Sequence, residues 1–82
     1  SSRASKDINI VIEEGGGIQV NGNPTTTEQL AATIGKIVVE DNIKNVIIEA
    51  HRTVRHQKVI QVVDIARGQG IEAVAFAKSA EG

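Results

Sequence analysis

The stretch NVIIEAHRTVRHQKVIQVVDIARGQGIEAVAFAK, residues 45–78, holds a strand, a helix and a second strand in that order. Residues 45–50 are mostly apolar, which favours an interior strand of a sheet or a strand covered on both faces. Over residues 55–69 apolar side chains recur at three- and four-residue steps, which predicts an amphipathic helix. Gly70 supplies the left-handed stop that helices favour, and residues 73–78 predict a last strand. This order predicts a right-handed crossover between parallel strands, and with it an α/β fold.

A β-hairpin is predicted upstream of this unit. INIVIEE, residues 8–14, places isoleucines at every second position, which is the period of a half-buried strand. Three glycines, residues 15–17, supply a turn, and IQVNG, residues 18–22, follows as a second short strand. The triple glycine does not fit a phosphate-binding loop, because it leads into a strand and no Lys-Ser/Thr pair follows. A plain hairpin turn is therefore our interpretation of these glycines.

The run NGNPTTTEQL after this hairpin marks a turn followed by the start of a helix. Thr25 or Thr26 stands three residues before an acidic or amide side chain, which is the spacing of a capping box. Apolar residues then recur at helical spacing, and the predicted first helix covers residues 27–41. The threonine cluster also admits interpretation as a phosphorylation site or a hydroxyl nucleophile, but helix capping needs no further assumption.

The predicted elements follow in the order β-β-α-β-α-β. Right-handed crossovers place both helices on one face of the sheet, so the predicted fold is a two-layer α/β sandwich with a mixed sheet. The other face of the sheet is then short of cover. An exposed sheet face or strand edge on so small a domain usually lies against something else.

The composition of the 82-residue chain limits both architecture and function. The length predicts one domain, residues 8–78, between a flexible linker or excised end at residues 1–7 and a tail at residues 79–82. The chain has no cysteine and only one aromatic residue, Phe76, so the core is aliphatic and disulfides, zinc ribbons and thiol nucleophiles are excluded. The net charge of −1 argues against a dedicated nucleic-acid binder.

The sequence contains no methionine, even at position 1, and no apolar run long enough to span a bilayer. We therefore expect a processed product or an excised fragment. The Ser-rich start does not have the apolar stretch of a signal peptide. A membrane segment encoded upstream is compatible with this expectation.

His51 and His56 lie in the basic stretch between the third strand and the second helix. On one helix they would be about 140° apart at roughly 100° per residue, so they would not face one ligand. Zinc wants three or four ligands, and the neighbouring Arg52, Arg55 and Lys58 repel a metal ion. Because these cations crowd a helix N-terminus, an anion-binding site and a merely solvated loop both remain open. Neither histidine has the oriented acid and nucleophile of a catalytic site, so we predict no enzyme, no cofactor and no metal.

Taken together, these pieces resemble the C-terminal domain of the ExbD/TolR family. The matching motifs are IIEAHRTV, KVIQVVDIARGQGI and AVAFA, and upstream of them the IQVNG strand followed by a capped helix. The resemblance covers residues 8–78 and is carried by the order and spacing of the motifs. One position departs from the family pattern, which commonly has Ala-Asp where this chain has Ala50 followed by His51 and Arg52.

The resemblance implies a non-enzymatic periplasmic domain of a bacterial inner-membrane protein, joined to the membrane only through an N-terminal helix. Proteins of this family work with an ExbB- or TolQ-like channel subunit, harvest the proton-motive force and drive a TonB- or TolA-like transducer. The implied role is energy transduction through homodimerisation and partner binding, with peptidoglycan as a further contact of a TolR-type domain. The resemblance does not separate the ExbD branch from the TolR branch.

We expect partner or dimer contacts at two strand edges and in the basic loop, which holds His51 and Arg52 and precedes the second helix. The edges are the short strand after the triple glycine and the last strand, since an exposed edge can accept an extended segment. The loop is included because it departs from the family pattern. The predicted contacts are Ile18, Val20, Val74, Phe76, His51 and Arg52. The alternative is that both edges are blunted, by Gly22-Asn23 and by Lys78.

Two other functions fit the same order of elements. A small cytosolic α/β module would be a stable monomer with a small-molecule pocket. An RNA-binding domain of the KH kind also alternates strands and helices, but it needs a G-x-x-G loop between helices. Gly68-Gln69-Gly70 has a different spacing and leads into a strand.

Overall fold

β1 (Ile8–Ile12) lies at the centre of a five-stranded mixed sheet. The structure, a computed structural model, describes residues 7–77. The other elements are β2 (Ile18–Val20), β3 (Asn23–Thr25), α1 (Thr27–Asp41), β4 (Asn45–Ala50), α2 (His56–Gly68) and β5 (Ala73–Phe76). A short 3-10 helix, Glu14–Gly16, connects β1 to β2. Neither helix within the described residues combines the length and the apolar character that crossing a bilayer requires.

The strands of the sheet lie in the order β3-β2-β1-β4-β5. β1 pairs with β2 as an antiparallel hairpin, and on its other side it runs parallel to β4. β5 continues the parallel half of the sheet beside β4, whereas β3 adds an antiparallel strand outside β2. Ile12 is in register with Ala50, so the parallel strands β1 and β4 end at the same level.

The apolar core lies on one face of the sheet, under both helices. In β1 the alternate residues Ile8, Ile10 and Ile12 are fully buried, whereas Asn9 between them is exposed. The rest of this core consists of Ile18, Val20, Leu30, Ile34, Val46, Ile48, Val62, Ala66 and Ile71. The buried positions have the period of a strand in the sheet and of a helix in α1 and α2, so each element contributes one apolar face. The predicted two-layer sandwich, with a mixed sheet and both helices on one face, is confirmed.

The first helix begins and ends where the sequence predicts. Thr26 is the N-cap of α1, and its hydroxyl oxygen accepts a hydrogen bond from the Gln29 N–H at 3.2 Å. Asn42 follows the helix in the left-handed conformation with a φ of 56°, which a short polar side chain tolerates. The capping interpretation of the threonine cluster is confirmed.

The second helix has no side-chain cap at its start and a well-bonded end. Arg55 occupies the N-cap position without a capping hydrogen bond from its side chain. At the other end Gly70 has a φ of 104°, and its N–H donates to the Arg67 carbonyl at 3.1 Å. The Ile71 N–H donates to the Ala66 carbonyl at 3.3 Å, which completes a Schellman motif. Gly70 is thus the stop that the sequence predicts, and α2 is one residue shorter at each end than expected.

β3 is the strand that the sequence pattern does not predict. Asn23-Pro24 indicates a break because proline cannot donate to a sheet ladder, yet Pro24 lies opposite Gln19 in an antiparallel pair. Proline is tolerated there because β3 is the outermost strand of the sheet. The prediction that Ile18–Val20 forms a sheet edge is therefore wrong, since β2 lies between β1 and β3.

The turn after β1 agrees with the prediction, whereas β5 is shorter than predicted. The predicted hairpin is confirmed, and its turn is a 3-10 turn in which Gly15 and Gly16 have φ values of 90° and 94°. β5 ends at Phe76 rather than at residue 78. Lys78, the predicted linker before Asp7 and the predicted tail lie outside the described residues.

The two helices run side by side in the same direction. Near their starts Lys58 Nζ donates to Thr27 Oγ1 at 2.8 Å. Further along, Gly35 of α1 faces the Gln69 side chain that follows α2, and an added Cβ would lie 2.7 Å from Gln69 Oε1. Because the helices are parallel, their positive N-terminal ends lie together at the end of the sheet where β1 and β4 stop.

Replacing Gly70 by alanine should lower the free energy of unfolding by about 1 to 2 kcal/mol, because an L side chain is strained in the left-handed region. Gly70 needs that region, since its φ is 104°. Urea denaturation of the Gly70→Ala variant measures the loss.

The Gly35→Ala variant is the matched control for this prediction. Alanine favours a helix interior over glycine by about 1 kcal/mol, so this variant should be as stable as the parent chain or more stable. Only the far end of the Gln69 side chain has to move. A Gly70→Ala variant as stable as the parent chain would contradict the helix end described above.

Candidate partner-binding surface

β5 is the last strand on one side of the sheet. Within the described residues, β5 pairs with β4 on one side and with no strand on the other. The Ala73 N–H and the Ala77 N–H point inward, toward carbonyl groups of Lys44 and Ile48. Because main-chain groups alternate in direction along a strand, the N–H and C=O groups of the two even-numbered residues of β5 point outward. These residues are Val74 and Phe76, both predicted as contacts.

An apolar groove lies beside this edge on the helix side of the sheet. It has a volume of about 360 Å³ and is lined by His56, Val59, Ile60, Val63 and Phe76, and we call it the α2–β5 groove. Among the described residues only three large apolar side chains are exposed, and two of them lie here, Phe76 at 63% and Ile60 at 46%. Single exposed apolar side chains are ordinary, but a cluster beside a strand edge is a candidate interaction surface.

The groove exists because α2 is apolar on more than the side that faces the sheet. Val62 is fully buried in the core, and Ile60 lies two positions earlier, about 160° away around the helix. One sheet face cannot cover both sides of a helix. Val59 and Val63 are partly buried against the core, as the helical stripe predicts. Sequence reasoning missed Ile60 as an exposed residue because it assigned the whole stripe to the core. The width of the stripe was the available signal.

His51 and Arg52 lie in the loop that joins β4 to α2. The His51 N–H donates to the Ile12 carbonyl at 2.8 Å, which extends the pairing of β1 with β4. The His51 ring nitrogen Nδ1 accepts a hydrogen bond from the Thr53 N–H at 3.2 Å and lies 2.8 Å from the Thr53 hydroxyl oxygen. The start of the loop is therefore held by both the main chain and the imidazole ring.

Ile18 and Val20 lie in the core rather than at an edge. They are 3% and 2% exposed, and three strand spacings, about 14 Å, separate β2 from β5. The structure thus separates these two residues from Val74 and Phe76, whereas the loop after β4 lies at the end of the sheet where β5 stops. Contact of these side chains with a partner stays a prediction.

The N-terminal end of α2 is basic. A depression of about 400 Å³ beside it is lined by Gly15, Gly16, Thr53, Val54, Arg55 and Lys58. Two cations and two helix N-termini attract anions at this end of the sheet. Within residues 7–77, histidine and carboxylate side chains do not gather in groups of three that could hold a metal ion.

Residues 1–81 match the family model described as Biopolymer transport protein ExbD/TolR. A search of curated proteins finds no match. The matched residues include the free edge of β5, the α2–β5 groove and the basic loop.

Replacing Phe76 or Ile60 by serine should change the free energy of unfolding of the monomer by less than about 1 kcal/mol, because both side chains are exposed. The Val62→Ala variant is the control on the same helix. It should lose about 2 kcal/mol, since Val62 is fully buried. Urea titrations of dilute samples measure these values, and a loss in Ile60→Ser as large as that in Val62→Ala would refute the exposed position of Ile60.

Proposed function

The chain belongs to the ExbD/TolR family of biopolymer transport proteins, and we propose that it is the periplasmic domain of a bacterial inner-membrane complex driven by the proton-motive force. In this proposal residues 8–78 form the domain, and its role is dimerisation and partner binding rather than catalysis. Its partners are an ExbB- or TolQ-like channel subunit and a TonB- or TolA-like transducer.

The observation that carries this proposal is the unpaired edge of β5 beside the α2–β5 groove. Strand addition draws affinity from main-chain hydrogen bonds and specificity from pockets for alternate side chains. The main-chain groups of Val74 and Phe76 supply hydrogen bonds to an added strand, and the groove between Phe76 and Ile60 supplies a pocket for its side chains. An extended segment with apolar residues at alternate positions therefore fits this surface.

A second copy of the chain fits the same surface. In a two-fold symmetric dimer the same patch of both copies meets, so β5 would pair with β5 of the other copy in antiparallel fashion. The two Phe76 side chains would then cover apolar area that a monomer leaves in water. Dimerisation and transducer binding at this edge would compete, because one edge accepts one strand.

A TolR-type role against peptidoglycan is the second candidate, and the basic end of α2 favours it. Peptidoglycan carries carboxylate groups on its peptides. Arg55 and Lys58 stand where two helix N-termini already attract negative charge. This candidate rests on charge at the end of the sheet, whereas transducer binding rests on the apolar edge of β5.

The Phe76→Ser variant should dimerise at least about tenfold more weakly than the parent chain, because truncating a central aromatic contact typically costs more than 1.4 kcal/mol. Sedimentation equilibrium over a series of protein concentrations measures the dissociation constant.

The Val39→Ser variant is the control for dimerisation. Val39 is 81% exposed on α1, outside the α2–β5 groove, so its removal should leave the dissociation constant unchanged. Equal weakening in both variants, or none in Phe76→Ser, would place the dimer contact elsewhere.

An extended peptide from the cognate TonB- or TolA-like protein should shift the amide resonances of Val74 and Phe76 in a ¹⁵N-labelled sample. It should also slow the hydrogen exchange of these two amides, because each gains a strand partner. The Ala77 amide already donates to the Ile48 carbonyl and serves as the internal control. Binding that leaves the Val74 and Phe76 amides unchanged would rule out strand addition at β5.

A further inference from the structure

The loop between β4 and α2 is folded around the imidazole ring of His51. Its Nδ1 atom accepts the Thr53 N–H at 3.2 Å and lies 2.8 Å from Thr53 Oγ1. The Val54 N–H donates to the His51 carbonyl at 2.9 Å, which closes a turn over the same residues. One ring nitrogen therefore contacts both the main-chain N–H and the hydroxyl group of Thr53.

The hydrogen bond from the Thr53 N–H requires an unprotonated Nδ1. A main-chain N–H can only donate, and a ring nitrogen that accepts carries no hydrogen. In this conformation His51 is therefore neutral, with its single ring hydrogen on Nε2. The Thr53 hydroxyl is more adaptable, because it can donate or accept by rotating its hydrogen.

We propose that protonation of His51 at Nδ1 is a pH-dependent switch that releases the Thr53 main chain and rearranges the loop leading into α2. The proton taken up from solvent turns Nδ1 into a donor. The Thr53 hydroxyl then reverses its role and accepts from Nδ1, whereas the Thr53 N–H faces another N–H and must turn away to water. Imidazole is the side chain that ordinarily changes charge between about pH 5 and pH 8, and this is the range to examine.

Carboxylates line a depression with His51, and cations line a separate depression with its partner Thr53. A depression on the sheet side is lined by Val11, Ile12, Glu13, Glu14, Glu49, Ala50 and His51. One of its carboxylates, Glu13, already accepts a hydrogen bond from Gln19 Nε2 at 2.6 Å. On the other side Thr53 shares a depression with Arg55 and Lys58, and Arg52 follows His51 in the chain. An imidazolium ring is drawn toward the carboxylates and away from the cations, which favours release of Thr53.

The consequence is a change at the start of α2. Val54 packs against the core, and the N-cap residue Arg55 has no side-chain hydrogen bond to hold the helix start. The contacts of Thr53 with the imidazole are thus among those that hold the loop before the helix. The switch goes beyond the proposed function, because it gives the basic loop two conformations whether or not β5 binds a partner.

NMR spectroscopy of the ¹⁵N-labelled chain between about pH 8 and pH 5 tests this switch. At high pH the ring nitrogen shifts of His51 should show the tautomer with hydrogen on Nε2. The Thr53 amide should move with the same midpoint as the His51 ring. Its hydrogen exchange, corrected for intrinsic pH dependence, should become roughly three- to tenfold faster below that midpoint, as for the loss of one hydrogen bond.

Three variants make the test specific. His51→Gln should abolish the pH response of the Thr53 amide, whereas His56→Gln, which removes the other histidine, should preserve it. Thr53→Val keeps the main-chain N–H, so its amide should still respond. The amides of β1 and β4 report that each variant is folded. A high-pH tautomer with hydrogen on Nδ1, a Thr53 amide with a different midpoint, or a response that survives His51→Gln would each overturn the proposal.

Discussion

The buried face of β1 is the constraint on which the rest of the domain depends. Ile8, Ile10 and Ile12 are fully buried beneath two helices, and among the strands of residues 7–77 it is β1 that joins the antiparallel half of the sheet to the parallel half. The chain has no cysteine, so no disulfide can stabilise the fold in place of the aliphatic core. Each helix turns one apolar side to this face, and both crossovers pass over it.

The two outer edges of the sheet differ in whether they can accept a further strand. Pro24 lies in the outermost strand on one side, where it cannot donate a hydrogen bond to an added strand. On the other side β5 directs the main-chain groups of Val74 and Phe76 outward, beside exposed apolar side chains. The fold therefore protects one edge and offers the other, which is why the proposed contacts concentrate on β5.

Local signals in the sequence were enough for much of this fold, and non-local geometry accounts for the remainder. The start of α1 and the end of α2 could be predicted because Thr26 and Gly70 act on main-chain groups within a few residues. β3 could not, because the pairing of Pro24 with Gln19 depends on which strand remains outermost. The wide apolar stripe of α2 indicates that part of it stays uncovered, but which residues are exposed depends on how α2 is rotated against the sheet. The imidazole contact with Thr53 arises from the path of a loop, which residue spacing does not specify.

The central position of β1 also shapes how the chain folds. Its antiparallel partner lies a few residues away, but its parallel partner, residues 46–50, becomes available only after α1 and the loop behind it. Contacts between distant residues are slow to form, so we expect the hairpin to form before the rest of the sheet and to expose its isoleucines until α1 and β4 dock. Proline at the outer edge of β3 then has a second consequence, because it hinders intermolecular pairing of this early hairpin while its apolar face is still bare.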